Sequence, residues 1–527
     1  MIYYHLLLLY AVVGVQCFGG KREVTQFPLS VSTSSSSPLP PPPQQPKDDN
    51  APSISNAINN APHIFNLIHG AMRHWENSLK HNGMSFFPVT VEANTLLYHG
   101  DLSNQPLMKN DWLAFEVDHS EQIFKVAPPV STSETINYAG NEKVYNYTGY
   151  LSTYRTTHQL KNILYFDGIS AAKSTIGTLD TQDRVLLQDN GFKSRPGFED
   201  LLRLQEICKI LPQIEGIIRM ELGFELFMCD TSKNLELLST TSHPQNFYRN
   251  KPENIFWKTE YLRSISKEYK GLVKGKISVD FSSTLSAYFY PLNLTNPDLE
   301  KSELPRINPV EREKIQRLRD DLINLFRSQS KPQDSIDWQS IVDELVSRYF
   351  DRLAYMESSK SDGEEMLGEA KFLIERFINH TALNFTASLE QCTSVYLLSA
   401  NIASTITSSD ELIFEAVREV SRKICSLLFV VREKLISRQV PTVIKEVKSQ
   451  VRDLMKWLNW GEWKECGKCA WNEVCFVAIW PWGTKDDHDH PNCKRINQLL
   501  PTLQYWDLDI GNNKSWLGHD IETNGYR

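Results

Sequence analysis

The chain has 527 residues, a length that accommodates two or three domains at about 150 residues each. Hydrophobic residues make up 41% and charged residues 23%, which is ordinary globular usage and excludes a chain that is disordered throughout. The net charge of −8 argues against a dedicated nucleic-acid-binding protein, because neutralising phosphates requires clustered basic residues.

Residues 1–20 predict a secretory signal peptide. Their apolar run, Leu6–Val15, is followed by small residues and is too short to span a bilayer core of about 30 Å. Only His5 precedes the run, so the usual positive charge is missing, and a buried or membrane-anchoring helix stays the alternative. No later stretch reaches the roughly 18 apolar residues of a membrane span. We therefore expect a secreted protein without a transmembrane anchor.

Residues 21–60 predict a disordered, Ser/Pro-rich linker. The stretch Val31–Ser55 offers too little apolar surface to offset the entropy that folding would remove. We expect an extended spacer between the signal peptide and the folded chain.

Residues 61–305 predict an α+β domain. Short runs rich in β-branched and aromatic residues, bounded by Gly, Asp or Asn, indicate strands. These runs are Thr95–Gly100, Asp111–Val117, Tyr150–Thr157, Asn162–Gly168, Glu215–Glu221 and Gly223–Asp230. Helical spacing is found in His63–Gly83, and a second helix is predicted to end at Pro212.

Residues 306–460 predict an all-α domain, because the apolar period changes to 3.6 residues. Five or six amphipathic helices joined by short connections are typical of an antiparallel bundle or helical array. They are predicted at about Val310–Arg327, Ser335–Glu357, Glu364–Asn379, Leu389–Ala403, Asp410–Ser437 and Thr442–Leu458.

Residues 461–527 predict a small cap rich in cysteine and tryptophan. Four cysteines of this segment could form disulfides, or could bind zinc together with His488 and His490. The cysteines are Cys466, Cys469, Cys475 and Cys493. The tryptophans could pack on disulfides or present aromatic faces to a sugar, so a glycan is a possible partner.

The remaining cysteines also favour disulfides. If Cys17 leaves with the signal peptide, the candidates outside the cap are Cys208, Cys229, Cys392 and Cys425, and an even number is typical of oxidising compartments. The sequence does not choose the pairing. Candidate glycosylation sites are Asn146, Asn293, Asn379, Asn384 and Asn513.

Two short motifs suggest catalysis. Gly168-Ile-Ser170-Ala-Ala172 is a degenerate form of the nucleophile elbow of serine hydrolases and lacks its second glycine. Leu97-Tyr98-His99-Gly100, followed by the aromatic run from Asp111, resembles the opening of the ADP-ribosyltransferase fold. That resemblance implies NAD as cofactor, His99 on the ribose, and Glu221 or Glu225 as the catalytic carboxylate. The tyrosine expected in the second strand is absent, since Leu113, Ala114 and Phe115 stand there.

Across most of its length the chain also resembles a family of predicted secreted ascomycete proteins to which no activity is attached. The matching segments are Gly70–Pro88, Asp167–Asp183, Tyr290–Asp298 and Ile479–Thr484, together with LLYHG, IIRMELGFELFMCD and CGKCAWNEVC. The sequence thus predicts a secreted or cell-wall-associated fungal protein without a catalytic signature and without a cofactor. An NAD-using enzyme is the alternative.

Overall fold

The computed structural model describes residues 48–107, 109–126, 136–139, 142–170, 176–188, 200–248, 275–327, 335–400, 406–438, 440–479, 483–495, 498 and 505–506. Within these ranges, residues 122–126, 136–139, 142–147 and 245–248 are described by their backbone. The predicted signal peptide and most of the predicted linker lie outside the described residues.

From residue 48, where the description begins, three short helices precede the sheet: α1 (Ile54–Asn59), α2 (Ala61–His69) and α3 (His74–Leu79). Ser53 caps α1, because its hydroxyl oxygen accepts from the Asn56 backbone N–H. Helix α1 falls within the range predicted as linker, so ordered structure begins before residue 61. The single helix expected over residues 63–83 is interrupted at Met72, whose φ of 57° is left-handed.

Eleven strands among the described residues form one sheet. They are β1 (Asn82–Val91), β2 (Leu96–Asp101), β3 (Asp111–Ala114), β4 (Ile136–Ala139), β5 (Glu142–Thr156), β6 (Leu160–Ile169), β7 (Gly216–Met220), β8 (Phe224–Met228), β9 (Leu235–Tyr248), β10 (Ile277–Val279) and β11 (Leu285–Ser286).

The strand order is β10-β1-β6-β7-β8-β3-β2-β5-β4, with β11 also pairing β1 and β9 also pairing β5. All pairs are antiparallel except β6 with β7. The crossover between these two strands includes a π-helical turn (Thr181–Leu186) and helix α5 (Asp200–Ile210), as a parallel connection requires. Helix α4 (Val117–Val126) follows β3 and packs on β2.

In the described part of the chain, six helices lie between the sheet and the C-terminal segment: α6 (Arg312–Arg327), α7 (Trp338–Glu357), α8 (Gly363–Ile374), α9 (Phe385–Ser394), α10 (Ser408–Ser437) and α11 (Pro441–Leu458). The long helix α10 contacts α1, α2, α8, α9 and α11. Its first turn also contacts the segment after β10 and the start of α7. There, Asp410 accepts hydrogen bonds from Ser282 Oγ and Trp338 Nε1, both at 2.8 Å.

The C-terminal segment contains a two-stranded hairpin, β12 (Glu473–Phe476) with β13 (Asn492–Arg495), and the short helix α12 (Lys485–Asp489). Disulfides Cys466–Cys475 and Cys469–Cys493 hold it together. The predicted fold class, an α+β region followed by a helical region and a disulfide-bonded end, is confirmed.

Residues 49–527 form one compact unit, and a continuous cluster of buried apolar side chains runs from α1 to Trp506. The domain boundaries predicted at residues 305 and 460 lie inside this unit and stay predictions. None of the helices in the described ranges has the length and apolar character needed to cross a membrane.

Candidate functional site

The three residues predicted to act on NAD lie on strands β2 and β8 and on the turn between β7 and β8. Strand β3 separates β2, which carries His99, from β8, which carries Glu225. The register places Tyr98 opposite Ala114, and Ala114 opposite Glu225. Glu221 follows β7 at the turn that leads into β8. The fold therefore brings the predicted residues into one part of the sheet.

His99 is buried, with 7% of its surface exposed. Its Nδ1 lies 2.8 Å from the carbonyl oxygen of Trp112, and since a carbonyl only accepts, Nδ1 carries the proton. The ring also packs on the Trp112 indole, with centroids 5.0 Å apart. His99 is thus oriented by β3, with Nε2 as the nitrogen left for a ligand.

Trp112 also contacts His119 of α4, with ring centroids 6.2 Å apart. His119 Nε2 lies 2.8 Å from Glu225 Oε1, and both side chains are almost fully buried. Burial alone would lower the pKa of His119, but the hydrogen bond and charge of Glu225, with Glu116 and Glu221 nearby, outweigh it and raise the pKa. The imidazolium and Glu225 form a buried ion pair.

Arg219 of β7 binds the second oxygen of Glu225. Its Nε and one terminal nitrogen lie 3.3 Å from Glu225 Oε2, and its terminal nitrogens also reach Asp200 and Glu221, both at 2.8 Å. Burial lowers the pKa of Arg219, but the charges of Asp200, Glu221 and Glu225 raise it above its ordinary value. The guanidinium is therefore permanently charged and neutralised by its partners.

The network continues to α5 and the π-helical turn. Arg203, 1% exposed, donates from Nε to Asp183 at 2.7 Å and lies 3.3 Å from Asp200. Asp200 thereby bridges Arg203 and Arg219. A chain of alternating charges connects the π-helical turn, α5, β7, β8 and α4. It holds the β6–β7 connection and helix α4 to the strands of this site.

Sequence reasoning identified Glu221 and Glu225 but missed their partners His119, Arg219 and Asp200. The available signal was Arg219 within the apolar strand EGIIRME, because a buried arginine requires buried carboxylates. Glu225 has both oxygens bonded and 4% of its side chain exposed, whereas the side chain of Glu221 is 15% exposed. Glu221 is the more accessible carboxylate.

Ser170, at the motif that resembles a nucleophile elbow, is 1% exposed, and its hydroxyl oxygen accepts from Gln182 Nε2 at 2.9 Å. Ala171 and Ala172 lie outside the described residues. The position of Ser170 fits a buried structural serine.

The eight cysteines that follow Cys17 form the disulfides Cys208–Cys229, Cys392–Cys425, Cys466–Cys475 and Cys469–Cys493. The zinc interpretation of the C-terminal segment therefore loses its thiolate ligands. His488 instead packs inside, with Nε2 at 3.1 Å from the Leu79 carbonyl oxygen and Nδ1 at 3.1 Å from Asp489.

Three candidate glycosylation sites, Asn293, Asn379 and Asn384, are exposed. Asn384 also caps α9 by accepting from the Ala387 backbone N–H. The side chain of Asn146 and the whole of Asn513 lie outside what is described.

Residues 125–254 match the family model of the YPL277C N-terminal domain. The chain is 24% identical to the uncharacterized protein YOR389W of Saccharomyces cerevisiae over 542 residues, which cover 82% of this chain and 84% of that protein. It is 30% identical to the uncharacterized protein YPL277C of the same yeast over 213 residues, which cover 34% of this chain and 43% of that protein. No solved structure matches. The chain is thus similar to fungal proteins whose names state no activity, and the matched domain contains Arg219, Glu221 and Glu225.

Proposed function

We propose that the protein acts outside the cell, secreted or attached to the cell wall, as a binding protein rather than an enzyme. The observation that carries this proposal is the pairing of all eight cysteines that follow the predicted signal peptide. Cytosolic thiols are kept reduced, so four disulfides fit a protein that folds in the secretory pathway.

The environment of Glu225 supports a binding role. A catalytic carboxylate must approach the reacting atom, whereas both Glu225 oxygens are engaged by His119 and Arg219 inside the protein. His99 is likewise committed to Trp112 through Nδ1. Contacts of this kind are typical of a buried polar network that stabilises the fold.

A cell-wall glycan is the ligand that we propose. Trp471 is 82% exposed in the C-terminal segment that two disulfides hold. An exposed indole presents a flat apolar face on which a sugar ring can stack. Trp460 and Trp506 of the same region are buried and serve the core.

The test of location is expression of the full chain in a yeast host, followed by fractionation into medium, wall and cytosol. We expect the protein in the medium or wall, without residues 1–20, and with eight oxidised cysteines by mass spectrometry of unreduced peptides. Recovery from the cytosol with free thiols would refute the proposal.

The test of binding is co-sedimentation of the purified protein with insoluble wall glycan. We expect Trp471→Ala to lower the bound fraction, whereas the control Leu299→Ala, at a residue 83% exposed, leaves it unchanged. Equal binding by both variants would remove Trp471 from the proposal, and no binding by the wild type would remove the glycan.

The second candidate is an NAD-using enzyme of the ADP-ribosyltransferase type. The observation that favours it is the strand order, in which β2 with His99 and β8 with Glu225 flank β3, and Trp112 and His119 bridge the two residues. Under this candidate, His99 Nε2 would bind the ribose, and Glu221 or Glu225 would stabilise the developing positive charge.

Nicotinamide release and calorimetry with NAD separate the two candidates. An enzyme should lose roughly 10²–10³-fold in rate on Glu221→Gln or Glu225→Gln. The matched control is Glu236→Gln, which changes an exposed carboxylate on β9 that pairs with Arg155. A wild type that neither binds NAD nor releases nicotinamide would exclude this candidate.

A further inference from the structure

A second buried polar cluster lies where α2 and α3 meet the turn that follows α11. His69 is the last residue of α2, Glu76 is on α3, and Glu462 is in the 3₁₀ turn Gly461–Lys464. One ligating atom from each of the three lies within 4.8 Å of the others. His69 and Glu76 are 4% and 5% exposed, and the side chain of Glu462 is 20% exposed.

The ring of His69 is oriented by a carboxylate behind it. Nδ1 lies 2.8 Å from Asp343 Oδ1 of α7, and Arg73 pairs with the other oxygen of Asp343. A terminal nitrogen of Arg73 also lies 3.0 Å from Nδ1 and 3.3 Å from Nε2 of the His69 ring. This leaves Nε2 directed at Glu462, with which it pairs. A histidine that donates from one nitrogen to a carboxylate and presents the other is the usual arrangement of metal-ligating histidines.

Glu462 has a second oxygen that its pair with His69 does not use. Its Oε2 is inaccessible to solvent and has no hydrogen-bond partner among the residues that the structure describes. A buried oxygen of a carboxylate without a donor is costly unless a cation or another donor satisfies it.

The backbone is shaped to let Glu76 into the cluster. A Cβ atom at Gly461 would lie 1.9 Å from Glu76 Oε1, so only glycine fits beside this carboxylate. Lys80 binds Glu76 Oε2 at 3.0 Å, on the opposite oxygen. Burial lowers the pKa of His69, but its hydrogen bonds to Asp343 and Glu462 outweigh this and raise the pKa to about 9. With Arg73 and the protonated His69, three cations face three carboxylates, so a metal ion that binds His69 would take the place of its proton.

We propose that His69, Glu76 and Glu462 bind one divalent transition-metal ion. The ligands would be His69 Nε2 and one carboxylate oxygen from each glutamate, with Asp343 orienting the histidine. A mixed set of imidazole and carboxylate suits Zn²⁺ or Mn²⁺, whereas Mg²⁺ and Ca²⁺ prefer oxygen ligands alone. The ion would connect α2 and α3 with the turn after α11, which lies almost 400 residues later in the sequence.

The test uses the full-length protein, purified, stripped with a chelator and titrated with ZnCl₂ by calorimetry. We expect one Zn²⁺ per chain and a Zn²⁺-dependent rise in melting temperature that Mg²⁺ and Ca²⁺ do not reproduce. Co²⁺ in place of Zn²⁺ should give a visible absorption spectrum of mixed nitrogen and oxygen coordination.

Variants distinguish this cluster from other groups. Asp343→Asn should weaken Zn²⁺ binding about 10–100-fold, since it acts through His69, and Glu462→Gln should weaken it more. The control is Glu303→Gln, which alters the group Glu303, His488 and Asp489 and should leave affinity unchanged.

A wild type that binds neither Zn²⁺ nor Mn²⁺ in the same titration would overturn the proposal. A Zn²⁺ affinity that survives both Asp343→Asn and Glu462→Gln would also overturn it. If Glu462→Gln unfolds the chain, the Zn²⁺ affinity of Asp343→Asn still tests the proposal. Asp343 is outside the proposed ligand set, and its partner Arg73 remains in this variant. Loss of affinity in the Glu303→Gln control would assign the binding elsewhere and also overturn the proposal.

Discussion

The carboxyl group of Asp167 should make the folded protein less stable as the pH rises from about 4 to about 7. Asp167 lies on β6, and its Oδ1 accepts from the backbone N–H of Ser85 at 2.8 Å. Burial raises the pKa of Asp167 from 3.8 to about 7, although the hydrogen bonds from the Ser85 and Met84 backbone oppose the rise. The acid therefore stays protonated in the folded chain when it has already ionised in the unfolded chain.

The sign follows from proton linkage. Between pH 3.8 and about 7 the folded state holds a proton that the unfolded state has lost, so the free energy of unfolding falls as pH rises. The favourable contribution is complete below pH 3.8 and is lost at about pH 7. A pKa difference of about three, at about 1.36 kcal/mol per pKa unit, changes the free energy of unfolding by about 4 kcal/mol. This value is an upper bound, because the side chain is half-buried.

Asp167→Asn isolates this effect, because asparagine stays neutral and its Oδ1 can still accept from Ser85. We expect the variant to gain stability relative to the wild type by about 2–4 kcal/mol between pH 4.5 and pH 7.5. The assay is equilibrium denaturation in guanidinium chloride at four pH values, with disulfides intact. The control Glu300→Gln removes an exposed carboxylate and should track the wild type. Parallel curves for Asp167→Asn and the wild type would refute the reasoning.

Four further outcomes follow from named contacts. Arg219→Met should cost about 3–5 kcal/mol in denaturant unfolding, because Glu225 and Asp200 lose a buried cation, and a loss below about 1 kcal/mol would contradict the network. Gly461→Ala should lower the melting temperature, whereas Gly467→Ala, with open space around its Cβ, should not; equal effects would contradict the close approach of Glu76. Cys466→Ser breaks the disulfide to Cys475, typically a cost of 2–5 kcal/mol, so less protein should reach the medium, and undiminished secretion would argue against a role in folding. Deleting residues 23–47, which lie outside the described residues, should leave the melting temperature unchanged, whereas deleting residues 23–55 should lower it because Ser53 caps α1.

Apolar patterning predicted most strands near the site but not their neighbours. Runs such as Asn162–Gly168 and Gly223–Asp230 correspond closely to β6 and β8. Strand β1 was missed because Asn82–Val91 includes Pro88 and directly follows a helical pattern, and both features argue against a central strand. Its burial on nearly every residue comes from pairing with β6, β10 and β11, which is tertiary information.

For the candidate sites too, the sequence predicted some of the residues but not their tertiary contacts. The sequence identified His99 and the two glutamates as residue types in a suggestive order, and the strand order then brought them to one part of the sheet. The sequence did not reveal that His119 and Arg219 bind the two oxygens of Glu225. These partners come from α4 and β7, and no regular sequence spacing relates them to Glu225. Disulfide pairing and the cluster of His69, Glu76 and Glu462 depend on long-range contacts in the same way.

The two interpretations of Glu225 make opposite demands on one carboxylate. As a structural anion it must stay bonded to Arg219 and His119, since a buried charge without partners is strongly destabilising. As a catalytic group it would have to release at least one of them when substrate binds, and the cost of that release would reduce the binding energy available for catalysis. Glu221 faces a smaller cost, because its side chain is 15% exposed and therefore less desolvated than that of Glu225. Any NAD chemistry at this sheet would therefore be expected at Glu221, with Arg219 and Glu225 as the support that positions it.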